Sequence, residues 1–222
     1  MLERLGYAPW LHEFRDFLGD PRLTLEEFWC KYSRLREQEA PKMKAIKGEA
    51  DALAFYRSSD YLLWRQIVHR RHSAWRRVLW TMKGKHGILV EVGSGIAPVS
   101  SWVGQHRARW IYLLDDLPSR HLDFGHWRLR RLTWGIYKHW PTEADVVTVI
   151  DTFEHLPDPL KTAEHYVTRL LHRGFLHWSF PETDSTELDL ATAEQRQETI
   201  AYLTRTLRTV YDRDGYRVSR KD

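Results

Sequence analysis

The stretch Ile88-Leu89-Val90-Glu91-Val92-Gly93-Ser94-Gly95-Ile96-Ala97 decides how this chain is read. Its first five residues form a short, mostly apolar, β-rich run, as expected of a strand buried on both faces. Glycine stops the run at 93, and the residues from Pro98 to Val103 can open a helix. At the carboxyl end of a parallel strand, such glycines let a ligand approach the backbone closely, and the helix start adds free N–H groups. Taken alone, the stretch is a weak signal, with an ordinary tight strand-to-helix turn as its lesser alternative. Glu91, two residues before the first glycine, places a carboxylate beside any ligand at that turn.

Downstream, Trp110-Ile111-Tyr112-Leu113-Leu114 is a second apolar run, stopped by Asp115-Asp116. Arg131-Leu132-Thr133-Trp134 is a weaker third. Val146-Val147-Thr148-Val149-Ile150 is the clearest buried strand, and Phe175 to Phe180 follows a helical stretch over Thr162 to His172. Strands alternating with helical patterns predict a doubly wound, mostly parallel α/β sheet with right-handed crossovers. From Leu188 to Tyr211 the pattern is helical. Gly215 ends it, leaving Tyr216 to Ser219 as at most one short strand.

Upstream, the first eighty or so residues read as helices. Leu11, Phe14, Phe17 and Leu18 recur at helical intervals until Gly19-Asp20-Pro21. Thr24 with Glu27 forms a capping box for a second helix, which Ala40-Pro41 is expected to break. A third covers about Lys44 to Tyr56, and a fourth runs from Ser59 or Asp60 to about Met82. The chain is expected to divide into a helical extension or lid over 1–83 and a ligand-binding domain over 84–222. Tyr56, Tyr61 and Trp64 read as core packing or as pocket walls.

The 222 residues, 42% of them hydrophobic, suit one sizeable domain with a helical extension. Eleven tryptophans read chiefly as packing. The net charge of +4 is spread along the chain and does not imply nucleic acid. The densest basic run holds Arg65, Arg70, Arg71, Arg76 and Arg77, with Leu63, Ile67, Trp75 and Leu79 at near-helical spacing. It reads as the solvated face of an amphipathic helix, with an anion- or RNA-binding face as the alternative. The single cysteine, Cys30, excludes an intrachain disulfide and a multi-cysteine zinc site, and is expected to be a buried thiol. The N-terminus carries no apolar run resembling a signal peptide, and no stretch approaches the ~20 apolar residues that span a bilayer. A cytoplasmic protein without a membrane span is expected.

Further features join the turn. Asp115 ends the second strand about 20 residues beyond Gly93, where a carboxylate can accept both ribose hydroxyls. The segment from Asp145 through Asp151, Glu154-His155-Leu156 and Asp158-Pro159 ends a strand with polar groups at the same sheet edge. Together these residues resemble the class I S-adenosylmethionine (SAM)-dependent methyltransferases over roughly residues 87–182. The Glu-His-Leu and Asp-Pro segment looks like the small-molecule branch that includes the ubiquinone-biosynthesis O-methyltransferases. The resemblance implies a Rossmann-like methyltransferase fold with SAM contacted by Glu91, Gly93, Gly95 and Asp115, and with Ser94, Asp116 and Asp151 in the same site. Ala97 stands where that family usually has a third glycine. No acidic residue lies in Trp134-Gly135-Ile136-Tyr137 to read the adenine amine, so either backbone groups with Trp134 or Ile136 hold the base or the cofactor binds weakly. The family's sheet ends in two further strands, the last antiparallel. Only Tyr216 to Ser219 is left for them, so the sheet is expected to be short or completed by a partner chain, with a homodimer as one outcome.

A dinucleotide dehydrogenase is the rival for the turn, but its fingerprint wants a third glycine where Pro98 stands. Glu91 would also sit badly near a diphosphate. Methyl transfer is an in-line displacement that needs positioning and, for an oxygen or nitrogen acceptor, a base. His155 is the candidate base, unless Glu-His-Leu only orients its loop. Asp151, Glu154 and His155 have a spacing that could gather a divalent ion, resembling metal-assisted RNA ribose methyltransferases. The first position there is Glu rather than Asp, and His177 is only a guess as a second histidine, so no metal is expected. The function expected is methyl transfer to an O or N atom of a small-molecule acceptor. The alternatives are an RNA or protein methyltransferase, or a non-catalytic methyltransferase-like binding module.

Overall fold

The computed structural model describes residues 9–68, 74–133, 135–136, 142–180 and 188–222. One sheet is built from β1 (Ile88–Val92), β2 (Ile111–Asp115), β3 (Gly135–Ile136), β4 (Ala144–Val149), β5 (Leu170–Ser179), β6 (Arg208–Arg213) and β7 (Tyr216–Arg220). The spatial order is β3-β2-β1-β4-β5-β7-β6. Strands β1 to β5 pair in parallel, while β7 runs antiparallel to both β5 and β6. The winding reverses between β1 and β4, and a crevice opens at the carboxyl ends of strands at such a point. Register brings Val92 level with Asp115 on one side and Val149 on the other. Gly93, Asp116 and Asp151 therefore leave the sheet at one edge.

Helices cover both faces. Val90, Val147, Leu176 and Trp178 pack under α8 (Pro159–Arg169) and α9 (Ala193–Thr206). Their strand neighbours Leu89, Tyr112 and Val146 point the other way, toward α5 (Trp75–Thr81), α6 (Ser100–Gly104) and α7 (Arg120–Arg130). This alternation explains why the central strands carry apolar residues on both sides. The remaining helices are α1 (Pro9–Leu18), α2 (Leu25–Lys44), α3 (Glu49–Ser58) and α4 (Asp60–Val68). Trp10, Phe14, Phe28 and Trp64 form an aromatic cluster that reaches Phe124 of α7 and Ile96 of the glycine turn. The capping box at Thr24 is present, with Glu27 N–H donating to the Thr24 hydroxyl at 3.1 Å.

Several expectations are corrected. Pro41 does not break α2, because it falls in the last turn and its carbonyl still accepts from Ala45 N–H at 3.1 Å. The third helix opens at Glu49 rather than Lys44. Of the basic run, Arg65 lies on α4 and Arg76 and Arg77 on α5, which opens at Trp75 after a turn at Ala74. Arg70 and Arg71 lie outside the described residues. Cys30 is exposed, since the inward position of that turn belongs to Phe28. Residues 131–133 leave α7 as a turn, and the third strand is Gly135–Ile136.

The tail differs most. Helix α9 stops at Thr206, and β6 and β7 form a hairpin that supplies both closing strands within the chain. The sheet is neither short nor dependent on a partner chain for its closing strands. Asp214 and Gly215 turn the hairpin with φ of 54° and 74°, the paired left-handed conformation that suits a two-residue connection. Strand β6 is an edge strand with mostly exposed side chains, so the apolar pattern that marks a buried strand is missing.

Candidate functional site

The glycine turn is built from the inside outward. Glu91 is buried, and its two oxygens accept from Val99 N–H at 3.0 Å and Ser100 N–H at 2.7 Å, tying the turn to the start of α6. Burial pushes this carboxyl above its ordinary value, while those hydrogen bonds pull it back down. Gly93 (φ 60°) and Gly95 (φ 44°) adopt left-handed conformations. A side chain at Gly93 would collide with Thr152, and one at Gly95 with Gln66. Ala97, in place of a third glycine, also has a positive φ of 55°. Ser94 is buried within the turn.

The N–H groups of the turn are largely occupied. Gly93 N–H donates to the Asp115 carbonyl at 2.8 Å, Gly95 N–H to Asp116 Oδ2 at 2.6 Å, and Ile96 N–H to Gln66 Oε1 at 3.1 Å. Asp116 Oδ1 also accepts from Leu117 N–H at 2.6 Å. A turn whose donors are met by side-chain oxygens is poorly suited to cradle phosphates. The geometry therefore disfavours the diphosphate rival, as the sequence does.

Beside the turn lies a cavity of about 720 Å³. Its walls include Gly93, Asp115, Asp116, Asp151, Thr152, Glu154 and His155 from the sheet edge, and Tyr56, Arg65 and Gln66 from the N-terminal helices. Tyr61 and Trp64 pack in the interior instead. Among the described lining residues, four carboxyl groups (Asp115, Asp116, Asp151, Glu154) face one guanidinium, Arg65. Burial pushes Asp116 up to about 6 and Glu154 up to about 7, the latter raised further by the Asp151 and Asp189 carboxylates. Burial holds His121 neutral, down at about 4, and lowers His155 against the pull of Asp189.

Asp151 leaves β4 with φ 49°, its N–H bonded to the Ser179 hydroxyl oxygen at 2.8 Å while that hydroxyl donates to Asp151 Oδ1 at 2.9 Å. One turn of 3₁₀ helix, Phe153–His155, follows. Glu154 is 5% exposed, and its Oε2 has no hydrogen-bond partner among the described residues. His155 Nδ1 lies 3.0 Å from Asp189 Oδ1 and 3.3 Å from the Leu188 carbonyl. Both are acceptors, so Nδ1 carries the proton and Nε2, 3.9 Å from Glu154 Oε1, keeps its lone pair. Asp115 Oδ2 accepts from the Tyr166 hydroxyl at 2.8 Å.

Sequence reasoning missed Gln66, Tyr166 and Asp189. Each lies far along the chain from the group it holds, and no local pattern marks it. Trp134 lies outside the described residues. Among the described residues no group of three or more His, Cys, Asp or Glu is placed to hold a metal ion. His177 is fully buried on β5, bonded to the Thr81 and Tyr216 hydroxyls.

No protein-family model matches the chain, and no curated protein matches it. Solved structures do. Magnesium protoporphyrin IX methyltransferase (ChlM) from Synechocystis PCC 6803, with bound SAM, aligns over 80% of this chain and 98% of its own at 13% identity and a TM-score of 0.54. An O-methyltransferase family protein from Burkholderia thailandensis aligns over 86% and 70% at 11% identity, TM-score 0.56. A SAM-dependent methyltransferase from Aquifex aeolicus aligns over 79% and 100% at 12% identity, TM-score 0.50. The chain spans only 50% of the matched StiE O-MT chain. At these identities the likeness is one of fold. With its sheet order and its glycine turn at the switch point, the chain has the fold of the class I SAM-dependent methyltransferases.

Proposed function

We propose that this chain is a SAM-dependent methyltransferase acting on an oxygen or nitrogen atom of a small-molecule acceptor. The observation that carries the reading is the charge of the cavity. Four carboxyl groups against one guanidinium favour a ligand with positive charge, as a sulfonium with an amino group is, and disfavour a diphosphate. A volume of about 720 Å³ also lies within the range of roughly 300–1,000 Å³ usual for such sites.

Asp115 would hold the ribose hydroxyls, with Tyr166 fixing its carboxylate, and Gly93, Ser94, Gly95 and Asp116 would form the wall beside the methionine part. Glu91 supports that wall from beneath. Bound SAM would supply an electrophilic methyl carbon. His155 Nε2, neutral and facing the cavity, would take the proton of the acceptor, and Glu154 beside it can hold or release one near neutral pH. Helices α3 and α4 would serve as the lid, since Tyr56, Arg65 and Gln66 reach the cavity from them and would exclude water from bound ligand there. The ChlM and O-methyltransferase relatives in fold support a small-molecule acceptor. The single cysteine supports a reducing compartment such as the cytoplasm. No described helix is long and apolar enough to cross a membrane.

A second reading, a non-catalytic binding module, is favoured by the Gln66 amide seated over the glycine turn. Calorimetry with SAM and S-adenosylhomocysteine on wild type and Asp115→Ala tests the cofactor site the enzymatic reading requires, and methyl transfer from labelled SAM separates an enzyme from a module that only binds. Binding of both ligands, weakened at least tenfold by Asp115→Ala, is expected of the enzyme. Absence of heat from either ligand would end the enzymatic reading.

A further inference from the structure

A second cavity, about 650 Å³, opens at the same sheet edge beyond β4 and β5, between α5 and the β6–β7 hairpin. It shares Asp151 with the acidic cavity, and Ser179 stands beside it. Its own character is the opposite. Arg76 and Arg77 of α5 and Arg213 of β6 line it, interleaved with the rings of Trp80 and Tyr211. Arg213 is neutralised by Asp214 at 3.2 Å. Among the described residues, Arg76 and Arg77 have no carboxylate within ion-pair distance, and each lies against a ring instead. The Arg77 guanidinium sits 3.6 Å from the Tyr211 ring centroid and that of Arg76 sits 5.4 Å from Trp75. A guanidinium stacked on a ring keeps its in-plane N–H fork open to an oxyanion. Trp80 lines the cavity and is 64% exposed, a large apolar ring open to solvent.

We propose that this cavity anchors the methyl acceptor, and that the acceptor is a flat molecule bearing a carboxylate or phosphate. The inference rests on the methyltransferase reading and gives it a substrate class. The anion pairs with Arg76 and Arg77, the planar body lies against Trp80 and Tyr211, and the reacting atom extends past Asp151 toward His155. Charge separation between the cavities also orders the two ligands. The acidic cavity repels the acceptor's anion, and the arginine cavity repels a sulfonium, so each goes to its own side. A single-stranded nucleic acid is the less favoured occupant, because the arginines line a concave cavity that adjoins the reaction site rather than an open stripe.

The test is calorimetry on the full chain with three matched probes: 2-naphthoate, 2-naphthyl phosphate and uncharged 2-naphthamide. S-adenosylhomocysteine is titrated separately into the same proteins. Naphthoate or naphthyl phosphate is expected to bind about tenfold more tightly than the amide, and whichever does identifies the anion. Arg77→Gln and Arg76→Gln should abolish that preference, whereas Trp80→Ala should weaken all three probes alike. Equal affinity for acid, phosphate and amide would overturn the proposal. So would a preference that survives both arginine substitutions, or a short oligonucleotide that outcompetes the anionic probes. Failure of S-adenosylhomocysteine to bind wild type would instead sink the methyltransferase reading, an outcome distinct from any result with the naphthyl probes.

Discussion

Replacing Glu154 by glutamine tests the electrostatics of the site most directly. Glu154 is buried beside two other carboxylates, and its carboxyl is pushed from an ordinary 4.5 up to about 7. At about 1.36 kcal/mol per pH unit, this interval means that ionised Glu154 costs the folded state about 3 kcal/mol above pH 7. The neutral form incurs no such cost, so its contribution to stability is full below pH 4.5 and is lost as pH rises through about 7. Glutamine has the same shape and does not ionise. Glu154→Gln should therefore remove this pH dependence, gaining about 2–3 kcal/mol on wild type between pH 5 and pH 8. With a urea slope of roughly 2–3 kcal/mol/M, the two midpoints should separate by about 1 M over that range. Urea denaturation at pH 5 and pH 8 measures it. Parallel pH dependence in the two proteins would refute the reasoning, because Glu154 would then carry no perturbed proton. SAM should also stabilise wild type more than the variant at pH 8, where a cation relieves the ionised carboxylate.

Further outcomes follow from the same geometry. SAM affinity should rise severalfold from pH 5.5 to pH 8 with release of protons, since a cation favours the ionised forms of Asp116 and Glu154; calorimetry in buffers of differing ionisation heat reads both. His155→Ala should lower kcat by about 10²-fold with SAM affinity little changed, by single-turnover kinetics and calorimetry. In wild type the acid limb of the kcat profile should fall below pH 6.5, because burial lowers His155 and the base must be neutral. Gly215→Ala should destabilise the fold by about 1 kcal/mol, the cost of a side chain at positive φ, measured by thermal denaturation.

Sequence alone determined what is local. The strand–turn–helix at 88–104 was legible because an apolar run, glycines and a helix start each impose their own backbone, whatever surrounds them. The capping box at Thr24, the acidic ends of β2 and β4, and the alternation that makes a parallel sheet were legible for the same reason. The β6–β7 hairpin was missed although Asp214-Gly215 announced its turn, because an exposed edge strand lacks the apolar periodicity that marks a buried one. Only the tertiary structure decided which groups meet. Asp189 at His155, Tyr166 at Asp115, Gln66 over the turn, and Arg77 stacked on Tyr211 join residues 30 to 134 positions apart. Crossovers between parallel strands bring such groups to one edge, and no short-range pattern encodes which side chains will face each other there. The pairing of an acidic cavity with a basic one is a property of that edge, and the chain's modest overall charge gives no hint of it.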